Sequence, residues 1–340
     1  MYLVSILVPI YGVEKYIERC ARSVFDQTYP NLEFVFCNDA TPDRSVEILE
    51  HVIEDYPHLQ ERIHILHHDH NRGIAATRNN LFDHCTGEYL TYVDSDDWIE
   101  PDMVEKLVKK QKETDADIVT GRYYRHHHDE VYEGNLKKIG ILKKNDKEEM
   151  LKAMLEFSSS VALWNRLIRS SLYREHNIQC VEGVNAGEDL LVMPRLVYYS
   201  QKVAFCDAIT YHYDRSNFNS HANVVSHNWD MQQQLIRATL LNVEFFKDKE
   251  ACFSKAMDKQ LVERLKKTLG LTFHNHNNQG YHHVLSLLDN TDSRDWSLIG
   301  WDNPKKRWLD HHYYLTRLSL PLRRLHRTLH QLSHKSPEQP

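Results

Sequence analysis

Within the first hundred residues, short β-rich apolar runs alternate with stretches of amphipathic helical period, and this pattern restricts the fold more than any other feature. Residues 3–8, 32–37, 63–66 and 88–93 form strand-length runs, while 13–25, 45–53 and 75–82 carry apolar residues at helical spacing. Strands joined through helices run parallel, because each crossover returns the chain to the same end of the sheet. Right-handed crossovers then gather the loops that follow the strands along one edge, where open α/β sheets bind ligands. The expected fold is α/β: a mostly parallel sheet flanked by helices, with a Rossmann-like nucleotide-binding half over 1–100.

The chain has 340 residues, enough for that domain and a helical annex. Past Pro101 the pattern gives a helix to about 114, a strand at 118–121 and a His-rich stretch, 123–144, that suggests a hairpin excursion. A helix at 146–157, the segment 161–168 and a helix at 189–199 complete a second half, 101–222, of one catalytic domain. Residues 223–340 read as mainly helical.

A net charge of −6 gives no general attraction for nucleic acid. The six cysteines include no C-x-x-C pair, which suits a reduced cytoplasm, and the 23 His never adopt H-E-x-x-H spacing, so structural zinc is not expected. The apolar N-terminus lacks a basic flank and reads as a strand, and no run reaches the roughly 18 apolar residues of a membrane span.

Chemistry concentrates at three places. Asp94-Ser95-Asp96-Asp97 closes the fourth strand, and three adjacent carboxylates repel unless a cation neutralises them. A hard divalent ion, Mn²⁺ or Mg²⁺, suits such oxygens and can take further ligands from a diphosphate and water; a solvated acidic turn is the plainer alternative. In the loop after the second strand, Asp39 could accept from a base N–H, while Asp43 caps the next helix. Asn71-Arg72-Gly73 and Ala76-Thr77-Arg78-Asn79 open the third helix, whose N-terminus and arginines could attract phosphate. Either arginine could equally be a surface residue paired with an acid.

Together, Ser5-Ile6-Leu7-Val8-Pro9-Ile10-Tyr11, Ser23-Val24-Phe25-Asp26-Gln27-Thr28-Tyr29, Asp39-Ala40-Thr41-Pro42-Asp43, Ala76-Thr77-Arg78-Asn79 and Asp94-Ser95-Asp96-Asp97 resemble glycosyltransferase family 2, bacterial surface-polysaccharide type, with its GT-A nucleotide-sugar domain. The resemblance covers about 3–220. It implies that Pro9, Tyr11 and Asp39 cradle base and ribose, that Arg78 approaches base or phosphate, and that Asp94 and Asp96 form the D-x-D metal pair, with Asp94 also touching nucleotide. Asn38 and Ala40 depart from the family's usual acid and glycine, which loosens the choice of base; uridine diphosphate is the first expectation.

Trp164-Asn165-Arg166-Leu167-Ile168 and Gly187-Glu188-Asp189-Leu190-Leu191 resemble the family's acceptor half. Inverting transfer needs a carboxylate to take the proton of the attacking hydroxyl, a role expected of Asp189, with Glu188 orienting the acceptor or Asp189; two N-terminal helix acids complementing the dipole are the plainer alternative. Trp164 and Asn165 fall on the acceptor side, and Arg215, after Tyr211-His212-Tyr213-Asp214, would serve a lid; an ordinary edge strand is the alternative there. The expected partners are a nucleotide-sugar donor and a glycan or lipid-linked acceptor.

Eight Lys and Arg against the single acid Asp310 over 305–335, interleaved with apolar residues, make a basic amphipathic pattern. It suits either peripheral contact with the inner face of the cell membrane or packing on the catalytic domain, so a cytoplasmic or membrane-peripheral enzyme is expected. Two other readings stay open: a sugar nucleotidyltransferase, disfavoured by the missing Gly-rich phosphate loop, and a catalytically silent nucleotide- or glycan-binding protein.

Overall fold

The computed structural model of the chain describes residues 1–134, 140–217, 228–274 and 277–290. The basic segment 305–335 lies outside them. One compact unit spans Met1–Leu261 and a second Val262–Pro340.

The first unit is built on one sheet of order β3-β2-β1-β4-β8-β6-β9-β5, with β7 paired to β6. Strands β1 (Val4–Ile10), β2 (Leu32–Asn38), β3 (Ile63–His67) and β4 (Tyr89–Tyr92) are mutually parallel, as their helical connections require. The chain leaves β1 for β2 and β3 on one side and returns to β4 on the other, so the order reverses at β1. The edge loops there begin with Tyr11, Asp39, His68 and Val93. β8 (Arg166–Arg169) adds antiparallel to β4, β6 (Ile118–His127) antiparallel to β8, and β9 (Val203–Asp214) parallel to β6. Strands β1 to β4, β6 and β9 thus share one direction, and β8 is the antiparallel strand set among them.

Alternation along β1 separates two apolar layers. Val4, Ile6, Val8 and Ile10 face α1 (Ile17–Phe25), α2 (Ser45–Glu54) and α4 (Met103–Thr114), whereas Leu7, Val35 and Cys37 face α3 (Ile74–His84), α5 (Lys147–Leu155), α6 (Ser171–Glu175) and α7 (Glu188–Tyr199). A three-layer α/β/α body results, with both sheet faces dry. α8 (Trp229–Phe246), opened by Asn228 Oδ1 accepting from Met231 N at 3.2 Å, contributes Ala238 to a small cluster with Leu190 and Leu191 of α7.

The His-rich stretch does form a hairpin: β6 runs to His127, His128 turns with φ +53°, and β7 (Glu130–Glu133) returns antiparallel. β5 is only Trp98–Ile99, pairing with His212 and Tyr211. Tyr211 is therefore interior, fully buried between β5 and β6, and not on an edge strand. In the second unit the last part of α9 (Ala251–His274) precedes α10 (Asn278–Asn290), whose start is held by Asn277 Oδ1 accepting from Gly280 N at 2.8 Å.

Candidate active site

The acidic loop begins where Val93 N donates to Leu7 O at 3.0 Å, prolonging the β1–β4 pairing. Asp97 N donates to Asp94 O at 3.0 Å and closes the turn. Asp97 is fully buried and turns inward: Oδ2 accepts from Tyr211 Oη at 2.6 Å and Oδ1 from Asp214 N at 2.7 Å. Burial, and then Asp96 and Asp94, push its carboxyl well above the usual range. Tyr211 Oη in turn accepts from Asp94 N at 3.1 Å, so one hydroxyl joins both ends of the turn. Arg19 of α1, lying 3.7 Å over the Trp98 ring, donates through Nη2 to Asp96 O at 2.9 Å and to Asp214 Oδ2 at 2.8 Å.

Asp94 and Asp96 are left as the outward acids. Asp96 Oδ2 accepts from Asn217 Nδ2 at 3.0 Å, and burial followed by Asp94 pushes its carboxyl up to about 6. A carboxylate in want of counter-charge fits a hard divalent cation, and carboxylate oxygens are the ligands that Mn²⁺ and Mg²⁺ prefer. Among the described residues no group of three or more His, Cys, Asp or Glu could hold a metal ion, so the remaining positions would fall to ligand oxygens and water.

A second acid pair comes from α7. Gly187 precedes the helix with φ +96°, and a Cβ there would lie 3.0 Å from Leu235 Cδ2 and 3.2 Å from Ala238 Cβ. Glycine is required both for the turn and for the approach to α8. Two residues earlier, Asn185 Oδ1 accepts from Ala75 N at 3.2 Å, locking the start of α3 to the start of α7. Arg78, one turn into α3 and 5% exposed, therefore reaches both acid pairs: Nη1 donates to Glu188 Oε1 at 2.6 Å and Nη2 to Asp94 Oδ1 at 3.1 Å. Its Nε finds no partner. Burial raises the Glu188 carboxyl against the opposing pull of Arg78, and burial followed by Glu188 raises Asp189 to about 7. Arg166, fully buried in β8, donates to Thr120 Oγ1 at 3.2 Å and Ser160 O at 2.9 Å; burial pulls its guanidinium down to about 10, with Asp189 the chief opposing influence.

The residues expected to hold the nucleoside lie on the same edge. Pro9 is buried in β1 in register with Cys37, and Tyr11 follows the strand 51% exposed. The expected phosphate site at the start of α3 is not free: Arg72 N and Gly73 N donate to the Asp39 carboxylate at 2.7 and 2.8 Å, and Ala75 N is held by Asn185. Arg72 itself pairs with Glu182 at 2.9 Å, the surface role named as its alternative. Asp43 Oδ1 accepts from Ser45 N at 3.1 Å, capping α2, while Oδ2 accepts from Glu14 N at 3.0 Å and ties in the β1 loop.

Of the residues expected to meet the acceptor, Trp164 stacks on Tyr211 at 4.7 Å and Tyr213 at 5.3 Å, bracing the hydroxyl relay below the acidic loop. Asn165 adopts φ +62° and spends its amide inside the sheet, donating to Gly121 O at 2.7 Å and accepting from Thr210. Arg215 N donates to His126 O at 2.8 Å, continuing the β6–β9 ladder; the neighbouring residues 218–227, which a lid would include, lie outside those described. Arg19, which belongs to no segment singled out in the sequence, joins the acidic loop only through the packing of α1, and Tyr211, Asp214 and Arg166 take parts that their segments do not announce.

The family model described as "Glycosyl transferase family 2" matches residues 5–176, just over half of the chain. Glycosyltransferase GlyA of Streptococcus pneumoniae is 30% identical over 221 residues, covering 62% of this chain and 30% of GlyA. The uncharacterized glycosyltransferase EpsJ of Bacillus subtilis is 32% identical over 220 residues, 64% of this chain and 62% of EpsJ. The chain thus spans under two thirds of the length of either relative. The crystal structure of S. aureus TarS in complex with UDP-GlcNAc superposes with a TM-score of 0.67 at 18% identity, covering 93% of this chain and 88% of that one, a likeness of fold.

Proposed function

The chain belongs to glycosyl transferase family 2, and from that premise we propose that it is a metal-dependent, inverting glycosyltransferase. Its donor is a nucleoside diphosphate-sugar, UDP first, carrying a hexose or N-acetylhexosamine. Its acceptor is a hydroxyl of a glycan or lipid-linked glycan in bacterial surface-polysaccharide assembly. One observation carries the reading: Arg78 holds the Asp94 carboxylate of the edge loop and the Glu188 carboxylate of α7 in a single buried bridge.

Asp94 and Asp96 would hold the cation, and Pro9, Tyr11 and Asp39 the nucleoside. When bound there, Mn²⁺ or Mg²⁺ supplies Lewis-acid stabilisation of the leaving diphosphate. Asp189 accepts the proton of the acceptor hydroxyl as that oxygen bonds to the anomeric carbon and the bond to the diphosphate breaks on the opposite face. A carboxyl raised to about 7 is a stronger base than an ordinary aspartate. Glu188, bonded to Arg78, orients Asp189 at the start of α7. Trp164 and Arg215 flank the acceptor side. Among the described residues no helix is long and apolar enough to cross a membrane, and a cytoplasmic enzyme touching the inner membrane face through 305–335 is part of the same proposal.

Thermal-shift titration with nucleoside diphosphates, each with Mn²⁺, Mg²⁺ or chelator, tests it. Metal-dependent stabilisation by one diphosphate, lost in Asp96→Ala, is expected. The absence of a shift with every nucleotide would sink the donor assignment and favour a silent glycan-binding protein.

A further inference from the structure

Asp39 is 3% exposed, and its two oxygens are used unequally. Oδ1 accepts from Arg72 N at 2.7 Å and lies 2.7 Å from His68 Nδ1, whereas among the described residues Oδ2 accepts only from Gly73 N, at 2.8 Å. Asp39 follows β2 and His68 follows the neighbouring β3, so both stand on the ligand-binding edge. His68 is buried as well. Its Nε2 lies 3.1 Å from Asn80 Nδ2, an amide nitrogen that can only donate. Nε2 is therefore the acceptor of the ring, and the ring proton sits on Nδ1, aimed at Asp39.

A carboxylate oxygen offers two lone pairs in its plane. Oδ1 has both engaged, and Oδ2 has one left. We propose that His68 is a specificity-determining residue: by filling Asp39 Oδ1 and fixing the carboxylate plane, it leaves one acceptor position, matched to the single N–H of an imide base, uracil or thymine. The inference rests on the nucleotide-binding reading of Asp39. Cytosine presents an unprotonated ring nitrogen at the corresponding edge and would set lone pair against lone pair. Guanine presents two adjacent N–H donors and would find one acceptor for the pair.

The order Cys37, His68, Asp39 also resembles a thiol nucleophile relay, with Cys37 Sγ 3.8 Å from His68 Nε2. Cys37 is fully buried and its thiol is pushed up to about 11 by burial, so it supplies no thiolate. The chain of contacts ends at Asp39, and its work is to hold that acceptor.

Dissociation constants for UDP, dTDP, CDP and GDP with Mn²⁺, measured calorimetrically on the full chain, test the proposal in wild type, His68→Phe, His68→Gln and Asn80→Leu. Wild type should bind UDP or dTDP at least ~10-fold more tightly than CDP or GDP, since a mismatched bond to a charged acceptor is worth about that much. Adding 5-methyl-UDP, which differs from UDP in the C5 methyl alone, separates uracil from thymine, since dTDP also lacks the 2′-hydroxyl. His68→Phe should shrink the UDP to CDP preference by about 10-fold, and His68→Gln, whose amide can donate to Asp39, should restore most of it. Asn80→Leu, which frees the ring to place its proton on Nε2, should shrink it too and serves if His68→Phe does not fold. Preference for CDP or GDP in wild type, or an unchanged ratio in the folded variants, overturns the role of His68. No binding of any diphosphate to wild type overturns the donor reading itself.

Discussion

Arg78 Nη1 of α3 stands 2.6 Å from Glu188 Oε1 of α7, a contact between residues 110 apart in sequence that ties the first βα units of the sheet to α7. Both side chains are buried. Removing one partner of a buried pair strands the other charge. Arg78→Gln should lower stability by about 3–5 kcal/mol in urea unfolding, and Arg78→Gln with Glu188→Gln should cost less than the sum of the two singles. The Glu188 carboxyl is already raised by burial, and without Arg78 it rises further. A raised folded-state value favours the folded form at low pH and loses that contribution as pH rises, so the Arg78→Gln deficit should be larger at pH 8 than at pH 5.

Transfer should follow the ionisation of Asp189. Burial and Glu188 raise its carboxyl to about 7, and a protonated carboxyl cannot act as base. The rate should therefore climb with pH through about 7 and then level. Asp189→Asn should keep donor binding by calorimetry and lose transfer by roughly 10²–10⁴-fold. Normal transfer by the Asn variant would remove Asp189 from the mechanism.

Gly187→Ala tests how α7 is aimed. The residue sits at φ +96°, and an added Cβ would press on Leu235 and Ala238 of α8. Strain of this kind costs about 1–3 kcal/mol, visible as a lower denaturation midpoint. Because Glu188 follows directly, kcat should fall with it. Gly183→Ala, also at positive φ but with open space around the new Cβ, should leave kcat alone.

What could be read from sequence follows the range of the forces involved. The parallel half of the sheet was legible because each strand over residues 4–92 carries its own apolar run and is joined to the next through a helical crossover, which makes β1 to β4 parallel. Asp94 and Asp96 were legible because repelling acids on one turn need no distant partner to look unusual. The antiparallel insertion of β8 between β4 and β6, and the placing of β9 against β5, depend on contacts between distant segments, the nearest in sequence being Thr120 with Arg166. The start of α3 looked open to phosphate because nothing local shows that Asp39 and Asn185 claim its N–H groups. Nothing local pairs Arg19 with Asp214, which α1 and β9 bring to 2.8 Å.

Tyr211 gives the most exposed test of how the acidic loop is held. Its hydroxyl donates to Asp97 Oδ2 at 2.6 Å while accepting from Asp94 N at 3.1 Å, and Trp164 stacks on its ring. Tyr211→Phe keeps the ring and the stacking but strands a buried carboxyl and a backbone N–H, which should cost about 1.5–3 kcal/mol in urea unfolding. The same hydroxyl fixes the backbone that carries Asp94, so affinity for Mn²⁺, followed by loss of the free-ion paramagnetic signal, should weaken in the folded variant while Asp189 continues to set the pH midpoint of transfer. A variant with lower stability but wild-type Mn²⁺ affinity would mean that the loop holds its shape through Arg19 and Asp214 alone.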